Sequence, residues 1–136
     1  MSPNTVLKAL AYISVASLLI NGEARADVYM RISELTVRKL AVNKVLPTYP
    51  GDALKGKFQG VAIAELSIDI EGAVSGVKIL ESPHDSIGES VKKSVLQWKF
   101  KPMKKDNRPL RVVGKLTFYF SIIGGKGVVR NPVVVV

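Results

Sequence analysis

Two segments in which apolar and polar residues alternate, separated by one amphipathic helical pattern, constrain the fold of this chain most strongly. The first segment, from Gly60 to Glu81, is predicted to form a β-hairpin with its turn at Glu71-Gly72. The apolar residues of its first strand share one parity: Ala62, Ala64, Leu66, Ile68 and Ile70. On the return strand the apolar parity changes between Val74 and Val77, which predicts a β-bulge at Gly76.

A helical pattern follows the hairpin. Ser86 and Glu89 have the spacing of a capping box, which predicts the start of a helix. Its buried stripe is predicted from four apolar residues at helical spacing: Ile87, Val91, Val95 and Trp98. The helix should therefore run to about Trp98 and place the indole in the core. Pro102 disfavours a helical conformation at the residue before it, so the chain should continue extended.

The second alternating segment, from Arg111 to Ile122, is predicted as one strand. Its inward residues should be Val112, Leu116, Phe118 and Phe120, and its outward residues Arg111, Lys115, Thr117 and Tyr119. A polar turn is expected before it, from Lys104 to Pro109, and Tyr49-Pro50 is interpreted as the start of another helix.

The N-terminal 26 residues have the pattern of a secretory signal peptide. Lys8 precedes an apolar run of about a dozen residues, and Ala24-Arg25-Ala26 offers small residues at the two positions that a signal peptidase reads. A membrane anchor is the alternative, but the run is shorter than the roughly 20 apolar residues that span a bilayer. We expect cleavage after Ala26 and a mature chain that begins at Asp27, without a transmembrane segment.

Composition narrows the classes of partner. The chain has no cysteine, so packing and not disulfides must hold the fold. It has 20 Lys and Arg against 11 Asp and Glu. In an exported protein this excess of positive charge favours anionic lipid head groups, cell-wall polymers or acidic protein segments over nucleic acid.

Six features in one order resemble the C-terminal domain of TonB and its relatives. They are Tyr49-Pro50 followed by Ala53, Gly60-Val61, the Glu71-Gly72 turn, the segment from Val77 to Ser82, Trp98-Lys99-Phe100-Lys101-Pro102, and the Phe-rich final strand. The resemblance covers residues 43–122. It leaves residues 27–42 as an N-terminal extension, in which Val28, Met30 and Ile32 suggest a short strand, and residues 123–136 as a Gly/Val-rich tail.

The resemblance implies an α+β fold in which two helices pack on one face of a small antiparallel sheet. It also implies a periplasmic location and recognition of an outer-membrane transporter. Energy transducers of this family have an uncleaved anchor and a long Pro-rich spacer, neither of which the sequence indicates. We therefore expect a stand-alone binding module.

Family members accept an extended peptide at a sheet edge. By analogy, the receiving edge is the strand from Arg111 to Ile122, and its partner-binding residues are Arg111, Val113, Lys115, Thr117 and Tyr119. Its cations would suit an acidic peptide. The alternative is an ordinary solvated edge whose lysine deters aggregation.

A second functional hypothesis uses a basic patch, formed by Lys99, Lys101, Lys104, Lys105 and Arg108. It would make the chain an envelope accessory protein that binds anionic lipid or peptidoglycan, although such a run is more often a solvated turn. An enzyme is disfavoured and no cofactor or metal site is expected, because His84 is the single histidine and the serines have no partner base. His84 is interpreted as a loop residue, and Tyr49 and Trp98 as core members and not a binding platform.

The tail contains Val128-Val129 and four further valines at positions 133–136 after a Gly-rich hinge. Such a β-prone apolar segment is an aggregation hazard unless it pairs. One hypothesis is that it docks on the edge from Arg111 to Ile122, within the chain or in an exchanged homodimer. The alternative is a frayed terminus.

Overall fold

The structure, a computed structural model, describes residues 29–132. Three helices are present in this part of the chain: α1 (Glu34–Leu40), α2 (Gly51–Lys55) and α3 (Asp85–Val95). The strands are β1 (Tyr29–Arg31), β2 (Ala41–Asn43), β3 (Gly60–Ile68), β4 (Val74–Glu81), β5 (Lys99–Phe100), β6 (Met103–Lys105), β7 (Arg108–Ile123) and β8 (Lys126–Arg130). The predicted signal peptide and the valines at 133–136 lie outside the described residues. No helix within 29–132 is long and apolar enough to cross a bilayer.

The predicted hairpin is confirmed as β3 and β4. The even-numbered residues of β3 from Ala62 to Ile68 are buried, whereas Ile70 lies beyond the strand end and is 43% exposed. Ser67 lies opposite Gly76 and Ile68 opposite Val74, so the register shifts next to Gly76 as predicted. A second register shift between Ile63 and Ala64 was not predicted.

The second alternating segment is confirmed as β7, and its predicted inward side chains are buried. β7 pairs antiparallel with β3 along the whole length of β3. It begins earlier than expected, at Arg108, because β6 pairs with its first residues. The predicted polar turn is thus the end of a second hairpin, in which Asp106 and Asn107 have φ values of 53° and 61°. Two successive left-handed residues match a type I′ hairpin turn.

The main sheet is mixed and larger than the small antiparallel sheet predicted. β1 runs parallel to β7, β8 runs antiparallel to it, and the order through the sheet centre is β1-β7-β3-β4. β1 confirms the short strand expected around Met30. The sheet exceeds the prediction because both segments that flank residues 43–122 add a strand to it. A separate two-stranded sheet joins β2 to β5.

The helices follow the prediction in part. α2 begins directly after Tyr49-Pro50, as expected. α3 begins at Asp85, and its N-cap is His84, whose Nδ1 accepts from the Ser86 N–H at 3.2 Å. The predicted capping box of Ser86 and Glu89 is therefore wrong, and so is the interpretation of His84 as a plain loop residue. α3 ends at Val95, earlier than predicted.

A third helix, α1, was not predicted. Ser33 caps it by accepting a hydrogen bond from the Thr36 N–H at 3.1 Å. Glu34 lies in its first turn and Arg38 in its last, the arrangement of charges that the helix dipole favours. α1 packs against β7, where Gly114 allows close approach: a Cβ there would lie 2.4 Å from a methyl carbon of Val37.

The core lies between α3 and the sheet. The α3 residues Ile87, Val91 and Val95 are fully buried, as predicted. Trp98 is 1% exposed and packs edge-to-face on Phe118 with ring centroids 6.2 Å apart, which confirms its assignment to the core.

Tyr49 packs at the margin of the core. It is half-buried, and its ring lies edge-to-face on Phe120 at 5.2 Å. Its hydroxyl donates to the Phe58 carbonyl oxygen, and burial raises the pKa of the phenol. These contacts agree with a packing role for Tyr49.

Candidate functional site

The five predicted partner-binding residues all lie on β7, on the face opposite the core. They are Arg111, Val113, Lys115, Thr117 and Tyr119. Lys115 is exposed and the other four are half-buried, whereas the even-numbered residues between them are buried. In the strand register Lys115 lies opposite Glu65 of β3. The Glu65 carboxylate forms an ion pair with Arg31 of β1, with Oε2 3.1 Å from Nη1.

The edge of β7 that faces away from β3 is covered, so the expectation that this strand presents an open edge is wrong. β1 pairs with it from Arg111 to Val113, and the Ile32 N–H adds a hydrogen bond of 2.9 Å to the Val113 carbonyl. At the other end, β8 pairs with it from Tyr119 to Ile123. The chain therefore supplies its own strands to the edge that the resemblance assigns to a partner.

For the described part of the tail, the predicted docking within the chain is confirmed. Gly124 and Gly125, with φ values of 57° and 78°, turn the chain so that β8 docks on β7 of the same chain. Val129 packs against the core, and Tyr49 covers Gly127 so closely that a Cβ there would lie 2.6 Å from its ring. β8 is thus a packed strand and not a frayed terminus.

Between the β7 residues that pair with β1 and those that pair with β8, side chains cover the outer edge of β7. The Thr117 N–H donates to Glu34 Oε2 at 2.9 Å, and the Thr117 carbonyl accepts from Asn131 Nδ2 at 2.8 Å. Arg38 donates to both neighbours: from Nε and Nη2 to Glu34 Oε2, at 3.2 and 2.6 Å, and from Nη1 to the Asn131 carbonyl at 2.9 Å. We call Glu34, Arg38, Thr117 and Asn131 the edge network.

Sequence reasoning missed the edge network, although one signal was available. Ser33 followed by an acidic residue, with Arg38 and Lys39 in the next turn, is the charge pattern of a short capped helix. Nothing local, however, indicates that Glu34 reaches Thr117, which is 83 residues away.

The basic patch is exposed at all five positions. Lys104, Lys105 and Arg108 lie at the β6–β7 hairpin, Lys99 is the first residue of the short strand β5, and Lys101 follows that strand directly. Lys105 lies directly opposite Arg108. Like charges in that position destabilise a strand pair, and the two ion pairs found within residues 29–132 involve neither residue.

One serine does have a histidine neighbour, contrary to the sequence interpretation. His84 Nδ1 lies 2.8 Å from Ser86 Oγ. The hydrogen bond from the Ser86 hydroxyl to Asp52, with a further one from the Ala53 N–H, holds the pKa of Asp52 below its usual range. These contacts serve the start of α3 and its link to α2. Within residues 29–132, no group of three or more His, Cys, Asp or Glu could hold a metal ion.

The family described as the Gram-negative bacterial TonB protein C-terminal matches residues 45–122. Protein TonB of Yersinia enterocolitica is 32% identical over 77 residues, which are 56% of this chain and 30% of that protein. The chain thus matches less than a third of that relative's length. A solution NMR structure of the Pseudomonas aeruginosa TonB C-terminal domain superposes with a TM-score of 0.52 at 22% identity, covering 60% of this chain and 84% of that one. This likeness shows the fold.

Proposed function

Because this chain belongs to the family of Gram-negative bacterial TonB C-terminal domains, we propose that it is a periplasmic module that binds an extended segment of an outer-membrane transporter by strand addition. The family is one of non-catalytic protein-interaction domains linked to TonB-dependent transport. The partner, the edge used and the periplasmic location are our proposals for this chain.

One observation carries the proposal: only short segments from near the two ends of the described chain cover the outer edge of β7. β1 has 3 residues and β8 has 5, whereas β7 has 16. The opposite edge of β7 pairs with β3 and belongs to the core. A partner strand that replaced β8 would restore its backbone hydrogen bonds and leave the β3–β7 pairing intact.

Charge around this edge favours an acidic partner segment. Lys115 is exposed on the outward face of β7, and the two ends of β8, Lys126 and Arg130, are exposed cations that act on an approaching segment before it replaces β8. Complementary charge raises association rates and disfavours basic competitors more than it raises affinity. The predicted roles of Arg111, Val113, Lys115, Thr117 and Tyr119 in selecting the partner side chains stay part of this proposal.

The edge can be tested by NMR titration of the mature chain. The probes are short synthetic peptides from the periplasm-facing segments of outer-membrane transporters. We expect amide shifts concentrated on β7 from Thr117 to Ile123 and on β8. Shifts confined to β4, the edge strand at the other side of the sheet, would contradict the proposed edge.

Export is a further part of the proposal. We expect a signal peptide of residues 1–26 that is removed after Ala26, because the apolar run and the Ala24-Arg25-Ala26 sequence are typical of one. Intact-mass measurement of the protein from a periplasmic extract tests this. The mass of a chain that begins at Asp27 would support export with cleavage. Full-length protein in the inner-membrane fraction would contradict cleavage.

A second candidate function is the binding of anionic lipid or peptidoglycan by the basic patch. The observation that favours it is the pairing of Lys105 with Arg108, since a bound anion would offset this like-charge contact. Replacing Lys104, Lys105 and Arg108 by Gln should abolish sedimentation with vesicles that contain anionic phospholipid or with insoluble cell wall. Unchanged sedimentation of this variant would remove the candidate.

A further inference from the structure

The edge network reproduces the contacts of a β-strand without a strand. A neighbouring strand in a sheet satisfies the N–H and C=O groups of the residue that it faces. At Thr117 the Glu34 carboxylate takes the place of the strand carbonyl, at 2.9 Å, and the Asn131 amide takes the place of the strand N–H, at 2.8 Å. Thr117 Oγ1 adds a third hydrogen bond, donated to Glu34 Oε1 at 2.8 Å.

Arg38 links the two residues, Glu34 and Asn131, that bind the Thr117 backbone. Its guanidinium is bonded to the Glu34 carboxylate in α1 and to the backbone of Asn131 directly after β8. Arg38 is 7% exposed, so its charge is held largely out of water. Losing a partner of a buried charge is costly, which makes the closed arrangement stable as a unit.

The same contacts would oppose a partner strand. A strand that replaced only β8 would end near Tyr119, whereas a longer one would have to displace Glu34 and Asn131 from Thr117. Because Asn131 follows β8 directly, removing β8 from the edge also removes Asn131 from Thr117 and from Arg38. Glu34 and Arg38 would remain paired within α1, since they are four residues apart.

We infer that the edge network is an autoinhibitory latch that closes β7 at Thr117 and couples opening of this position to release of β8. The inference rests on the proposed strand addition at β7 and adds the device that regulates it. In the open state a partner strand would run past Tyr119 to Thr117, with its own backbone in place of the Glu34 and Asn131 side chains.

The main test uses Asn131→Ala in the mature chain. This change removes the side-chain bond to Thr117 but keeps the backbone carbonyl that Arg38 contacts. Asn43→Ala, on the exposed strand β2, is the matched control. Since one hydrogen bond contributes about 1 kcal/mol, we expect Asn131→Ala to bind a transporter peptide about fivefold more tightly than wild type, and the control to bind like wild type.

Hydrogen exchange tests the coupling without any peptide. In Asn131→Ala the β8 amides should lose protection, and the Thr117 amide should lose protection with them, because Arg38, which holds the Glu34 carboxylate, loses the Asn131 carbonyl when β8 leaves. Faster exchange in β8 with an unchanged Thr117 amide would overturn the coupling. Equal peptide affinity of wild type and Asn131→Ala, or no binding by either, would overturn the autoinhibitory role.

The two proposals fail in different ways. If peptides bind but shift only β4 amides, strand addition at β7 fails and the latch has no inhibitory role. If peptides shift β7 amides with the same affinity in wild type and Asn131→Ala, strand addition stands and the latch alone is wrong. Thr117→Val, which replaces the hydroxyl by a methyl group, should have a smaller effect than Asn131→Ala because both backbone contacts of Thr117 are kept.

Discussion

The indole Nε1 of Trp98 donates a hydrogen bond to the Val45 carbonyl oxygen, 2.8 Å away. This bond links the chain just after α3 to the loop that leads from β2 to α2. Trp98 also stacks on Phe100, with ring centroids 6.1 Å apart. Trp98 thus holds both the segment after α3 and the loop between β2 and α2 against the core.

Trp98→Ala should therefore be among the most damaging single changes in the domain. Removing the indole leaves a cavity and an unsatisfied carbonyl, and we expect a loss of about 3–5 kcal/mol in the free energy of unfolding. Urea denaturation measures this loss. Leu96→Ala, at a side chain that is 45% exposed, is the control and should cost less than about 0.5 kcal/mol. A Trp98→Ala protein that unfolds like wild type but loses peptide binding would make Trp98 a binding platform.

Gly114→Ala should destabilise the packing of α1 on β7. The added methyl group would lie 2.4 Å from Val37, so α1 must shift, at a cost of about 1–3 kcal/mol. Gly76→Ala is the matched control, because a Cβ there meets nothing within 4 Å. The measurement is again denaturation, and equal stability of the two variants would show that α1 is not held against β7 as described.

Ser86→Ala should raise the pKa of Asp52 toward its ordinary value. The hydrogen bond from the Ser86 hydroxyl is the main cause of the lowered pKa of Asp52, and Ser86→Ala removes this hydrogen bond. A lowered carboxyl pKa stabilises the fold above the unfolded-state pKa, and this contribution is lost as the pH falls through the folded-state value. NMR titration of the Asp52 carboxyl carbon measures the effect. An unchanged pKa in Ser86→Ala would show that another contact is responsible.

The sequence predicted those parts of the fold whose burial pattern can be read from the spacing of neighbouring apolar and polar residues. The burial of Ala62, Leu66 and Phe118 follows from their alternation with polar neighbours, and the burial of Val91 from its helical spacing. The bulge beside Gly76 was predicted because a change of parity is visible within a few residues.

The parts that sequence missed depend on residues distant in the chain. α1 has only 7 residues, and its position is decided by Gly114 of β7. The choice of His84 over Ser86 as the cap of α3 depends on where the chain leaves β4, and His84 also packs on Phe58 with ring centroids 4.4 Å apart. The covering of β7 combines segments from both flanks of the predicted domain, so no local pattern could predict it.

Site-specific disulfide trapping tests strand addition at β7 most directly. The chain has no cysteine, so Tyr119→Cys places a single thiol on the outward face of β7, and Lys78→Cys places one on β4 as the control. Each variant is incubated under oxidising conditions with transporter peptides that carry one cysteine at successive positions. We predict adducts with Tyr119→Cys at alternate peptide positions, because side chains of a paired strand point to one face with a period of two. Adducts that form equally well with Lys78→Cys, or at every peptide position without alternation, would contradict strand addition at β7.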